Sequence, residues 1–149
     1  MDKKEDFQII KQFGPSILKV KIPSDILNQI NDYVDNVIKD AELSKKLTHG
    51  NKLVGDVTQE IKLEPNIMQK SGWGNFLSLN VGKWIAYESG TKITKFHILN
   101  SWVVRQFENE YNPIHWHSGH ISGAGFLKVP KLLGKHVQEK EDKTYKGGN

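Results

Sequence analysis

Residues 98–130 read ILNSWVVRQFENEYNPIHWHSGHISGAGFLKVP, and how this stretch divides decides what the chain builds. Residues 98–107 are rich in β-branched and aromatic side chains, which predicts a strand. Residues 108–113 collect Asn, Glu and Pro and read as a turn. Residues 121–129 carry small and apolar side chains up to Pro130 and predict a second strand. Gly119, Gly123 and Gly125 leave little bulk there, as expected where a backbone or ligand comes close.

Between the predicted strands lies the turn 112–120, which holds three of the six histidines. In extended backbone, residues two apart project to the same face, so His115 and His117 can aim two imidazoles at one point. Imidazole suits iron, zinc, copper and nickel, so the pair is a candidate metal half-site. His120 is a further candidate, or simply an exposed side chain. The competing reading is a surface loop that happens to hold histidines. His49, His97 and His136 stand alone and read as structural or surface residues.

Outward from this centre, two helices are expected. Ser24 is placed to cap the first, over about 24–41, with Asp25 in the first turn, where the helix dipole favours an anion. Ile26, Ile30, Val34, Val37 and Ile38 recur at helical spacing, flanked by Leu27 and Tyr33, opposite a polar face of Asp32, Asp35 and Lys39. The second helix, over 73–88, carries Trp73, Phe76, Leu77, Val81, Trp84 and Ile85, and Gly90 stops it. Residues 7–22 alternate like strands around a turn at Phe13-Gly14-Pro15-Ser16. Residues 48–72 are rich in turn formers and are expected to loop over the surface.

Composition narrows the function classes. The chain has 149 residues, no cysteine and a net charge of +4. One domain with a modest core fits this length. Disulfides, thiolate metal sites and cysteine nucleophiles are excluded. Arg105 is the only arginine among 21 basic residues, which argues against sequence-specific nucleic-acid binding by arginine forks. No apolar run reaches the length of a membrane span and the charged start shows no secretory signal, so a cytoplasmic protein is expected.

The motif residues Ser101-Trp102-Val103, Tyr111-Asn112-Pro113-Ile114-His115-Trp116-His117, Ser122-Gly123 and Phe126-Leu127-Lys128-Val129-Pro130 resemble the 2-oxoglutarate/Fe(II) oxygenases common in marine bacteria and their phages. Phe13-Gly14-Pro15 and Leu53-Val54-Gly55-Asp56 are also similar to that pattern. The resemblance implies an α+β chain: part of a double-stranded β-helix (jelly roll) with the two helices packed on one sheet. It further implies a dioxygenase (an oxidoreductase) that hydroxylates a small molecule or a protein side chain, with Fe(II) and 2-oxoglutarate as cofactors. His115 and His117 would be metal ligands, and Lys128 or Arg105 would hold the cosubstrate. Where the wider superfamily has a carboxylate two residues after the first histidine, this chain has His117. Either His117 replaces the carboxylate in an all-imidazole site, or only one of the pair binds.

The family's distal histidine and cosubstrate-binding arginine normally lie some tens of residues downstream, beyond Asn149. Residues 1–149 are therefore expected to be the N-terminal part of a longer oxygenase, doubtful as an enzyme alone, or a small domain whose open sheet edge is covered by a partner or a second copy. Two alternatives to the oxygenase stay open. One is a non-catalytic β-sandwich binding or assembly module; the other is a cupin-like, all-histidine metal enzyme that does not use 2-oxoglutarate.

Overall fold

The computed structural model describes residues 7–11, 13–48 and 55–131, together with the backbone of 137–140 and 143–146. The fold is mixed α+β. A hairpin of β1 (Phe7–Ile10) and β2 (Ile17–Val20) leads into α1 (Ser24–Lys39) and the short α2 (Ala41–Leu47). Then come β3 (Gln59–Lys62), α3 (Pro65–Lys70), α4 (Trp73–Ser89) and β4 (Trp102–Arg105). A last hairpin joins β5 (Val137–Lys140) to β6 (Lys143–Lys146).

Helix α1 forms because its apolar residues fall on one stripe, and that stripe makes the core. Ile26, Ile30 and Val34 are buried with Leu63, and Trp73, Phe76, Val103 and Leu127 pack around them. The stripe continues in Val37, which clusters with Leu47 of α2 and Ile61 of β3. Ser24 is not the cap expected of it: Pro23 holds that position, with no side-chain hydrogen bond to the helix. The capping side chain belongs to Asp40, which ends α1 and accepts a 3.0 Å bond from the Leu43 amide at the start of α2.

Helix α4 runs to Gly90, which adopts a left-handed conformation suited to glycine as a helix stop. Its two tryptophans, three turns apart on one side of the helix, tie down both ends. The Trp84 indole donates to the Ser16 hydroxyl beside β2 at 2.7 Å, and the Trp73 indole donates to the Ser101 hydroxyl at 3.2 Å.

Three expectations fail here. Residues 48–72 are not simply a surface loop, since they contain β3 and α3. The strand predicted over 98–107 is only Trp102–Arg105, the residues in register with β3, with one further bond from the Leu63 amide to the Ser101 carbonyl just before them. Residues 121–129 form no strand. That segment crosses α1 instead, held by an Asn31 side-chain bond to the Leu127 carbonyl and by a Lys128–Asp35 ion pair. All the described sheets are two-stranded and antiparallel, so the implied jelly roll is not seen among the described residues.

Candidate metal centre

The β3–β4 ribbon positions the histidine turn. Its register pairs Gln59 with Arg105, Glu60 with Val104, Ile61 with Val103 and Lys62 with Trp102. Facing residues in an antiparallel pair share a side, and sides alternate along each strand. Ile61 and Val103 therefore lie on one face, which packs against the helices. Glu60, Lys62, Val104 and Trp102 lie on the other.

Beyond the ribbon the chain reverses through residues 106–110, with Asn109 in the left-handed region that asparagine tolerates. Glu110 clasps this turn to the segment just ahead of β3. Its carboxylate accepts from the Thr58 amide and hydroxyl and, on its other oxygen, from the Phe107 amide. These bonds, the Thr58 hydroxyl first, hold its carboxyl below the usual range. One step on, Asp56 and Tyr111 exchange backbone hydrogen bonds of 3.0 and 3.4 Å. Gly55 sits against Asn112 so closely that a Cβ there would overlap the asparagine side chain. Asn112-Pro113 thus leaves a fixed point, and the histidines follow at once.

The i, i+2 spacing brings the two rings together. The Nε2 atoms of His115 and His117 are 3.0 Å apart, with the ring planes at 79°. The other nitrogen of His115, Nδ1, is 2.7 Å from the Pro113 carbonyl, which can only accept. Neutral His115 thus carries its proton on Nδ1 and presents a bare Nε2 toward His117. Behind His117 lies the Trp102 ring, at 5.6 Å between centroids. The side chains at 114 and 116 alternate away from the pair, and all four side chains, the two histidines included, are exposed. Gly119, at φ 106°, takes a backbone conformation that other residues rarely adopt, just beyond the pair.

This geometry suits a metal ion. Two nitrogens each about 2.1 Å from a cation, at a right angle, lie about 3.0 Å apart. A backbone carbonyl on the non-coordinating nitrogen is the usual way a ligating imidazole is held in orientation. His120 is exposed, and no three ligating side chains meet among the described residues. His97 is exposed, while His49, His136, Leu53 and Val54 lie outside the described residues.

The other two candidates point elsewhere. The Lys128 ammonium is 2.7 Å from Asp35 on α1, and this bond holds the Asp35 carboxyl below its usual range. Arg105 donates to the Gln59 side chain at 2.8 Å and lies over the Phe107 ring. By register it belongs to the face of Val103, away from Trp102 and His117.

One residue that sequence reading passed over belongs in this account. Glu60 is 2% exposed, and neither carboxylate oxygen has a hydrogen-bond partner among the described residues. Burial pushes its carboxyl above the usual range, and the nearby His115 partly offsets the shift. No pattern in Gln-Glu-Ile-Lys announces a buried acid. Comparison with protein-family models, curated proteins and solved structures finds no match to this chain.

Proposed function

We propose that this chain binds a divalent transition metal through His115 and His117, and that the bound metal is iron serving a 2-oxoglutarate-dependent oxygenase. The observation that carries the metal reading is the 3.0 Å approach of the two Nε2 atoms, with Pro113 orienting the first ring. The oxygenase reading rests on the resemblance around Asn-Pro-x-His-x-His. On that reading the β3–β4 ribbon belongs to a jelly-roll sheet. The substrate is a small molecule or a protein side chain, and the open ribbon edge is where a second copy could add.

The residues fit the metal better than they fit the cosubstrate. Iron would supply oxygen activation, with His115 and His117 as two of its ligands and Trp102 backing the His117 ring. A 2-oxoglutarate anchor needs a free cation beside the metal. Lys128 is paired with Asp35 on α1, and Arg105 lies by register on the opposite side of the ribbon from Trp102, so neither stands beside the histidine pair. This favours, as a second reading, a histidine-based metal enzyme of cupin-like chemistry that does not use 2-oxoglutarate.

The deciding experiment titrates the chain with Co(II) and follows the visible absorption of the bound ion. One equivalent should bind, and His115→Ala or His117→Ala should weaken binding at least tenfold. Equal binding by wild type and both variants would remove the metal reading. With Fe(II) loaded, oxygen uptake linked to succinate formation selects the first reading; uptake without 2-oxoglutarate selects the second.

A further inference from the structure

Two imidazoles fill only part of the coordination shell of a transition metal, which takes four ligands or more. The Nε2 atoms of His115 and His117 converge to 3.0 Å, yet among the described residues no third ligating side chain joins them. Nor is the pair enclosed, since both rings are exposed. A half-site open at the surface takes its other half from outside the chain.

The surface around the pair is suited to meeting another protein. From 111 to 126 every residue but Pro113 is exposed, and residues 111–127 contain no Asp, Glu, Lys or Arg in a chain that is 26% charged. The next charge along, Lys128, is paired with Asp35 on α1. Ile114 and Trp116 add large exposed apolar side chains to the same run. Depletion of charge around an aromatic residue is the composition of the centre of a protein interface. The chain as a whole carries a net charge of +4, but this segment sets up no repulsion between like copies.

We propose that two copies of this chain share one metal ion, each giving His115 and His117 to a site of four imidazoles. In a square of nitrogens each about 2.1 Å from an ion, neighbours lie about 3.0 Å apart. That is the spacing within one copy. A two-fold axis through the ion generates the other two ligands, so a single self-complementary patch completes the site. The Pro113 carbonyl, on Nδ1, holds the His115 ring with its bare Nε2 free for the ion. Square-planar and tetragonal nitrogen sites favour Cu(II) or Ni(II), and the positions above and below the square stay open to water or a substrate. The shared site rests on the metal reading above and belongs with its second form, a histidine-based metal enzyme.

The test titrates the wild-type chain with Cu(II) and follows its mass by light scattering. The mass should double from 17.0 kDa as the ion reaches half an equivalent, with an electron paramagnetic resonance signal coupled to four nitrogens. Further ion then fills the half-sites singly, up to one equivalent. EDTA should restore the 17.0 kDa species, and His115→Ala and His117→Ala should stay at that mass throughout. Cu(II) bound through both histidines by a chain that stays at 17.0 kDa at every ratio would overturn the shared site and leave the metal reading standing. A doubled mass that persists in EDTA, or in both histidine variants, would overturn it as well, as a contact made without these ligands. No Cu(II) binding by the wild-type chain, or equal binding by both variants, would overturn the shared site and the metal reading together.

Discussion

Gly55 and Asn112 are matched: the space a Cβ would need at one is filled by the side chain of the other. Gly55→Ala must therefore push Asn112 away or break the Asp56–Tyr111 bridge, and either event moves the start of the histidine turn. The nearest atom is the far end of an exposed side chain that can swing aside, so a loss of about 1 kcal/mol is expected, the low end of overpacking costs. Denaturant unfolding measures it, and an unchanged midpoint would refute the close fit. Glu110 acts on the same turn through charge. Its carboxyl is held low in the fold, so its stabilisation is complete above the ordinary carboxylate range and is lost as pH falls through the lowered value. The amide resonances of Thr58 and Phe107 should shift together over that acid window, and Glu110→Gln should abolish the shift. Amides that stay flat down to the acid limit would refute the clasp.

Among the elements, α1 has the clearest cause. Ile30 is 1% exposed at the centre of the stripe, with Ile26 and Val34 one turn either side. Ile30→Ala should cost about 2–5 kcal/mol through lost burial and the cavity left behind, read from equilibrium unfolding. A cost below about 1 kcal/mol would mean that the stripe is not the core. The strands behave differently. β3 is Gln-Glu-Ile-Lys, with one apolar residue in four, and nothing local marks it as a strand. It exists because β4 supplies its hydrogen bonds, and because Ile61 meets Val37 and Leu47. Residues 121–129 are the converse. Their composition suits a strand, but Leu127 is committed to the α1 core and Lys128 to Asp35, which leaves no edge to pair with.

At the scale of the whole molecule, the β3–β4 ribbon is a divider. Ile61 and Val103 face the helices and carry stability, while Glu60 and Trp102 share the other side with the histidine turn. Among the described residues no helix is long and apolar enough to cross a membrane. Apolar surface is nonetheless conspicuous: Phe13, Ile114, Trp116 and Phe126 are each more than 70% exposed. Ile114 and Trp116 flank the histidines by the same alternation that brings the two rings together.

Local periodicity was enough to read much of this in the sequence. The α1 stripe, the aromatic face of α4 with its Gly90 stop, the first hairpin and the convergence of His115 with His117 are properties of neighbours a few residues apart. Spacing alone encodes them. The tertiary structure alone decided that β3 exists, that Glu60 is buried with no hydrogen-bond partner among the described residues and that Lys128 and Arg105 turn toward Asp35 and Gln59. Those outcomes depend on residues roughly 40–95 positions away, and no local pattern specifies them, because a strand, the burial of a charge and an ion pair are each decided by residues elsewhere in the chain.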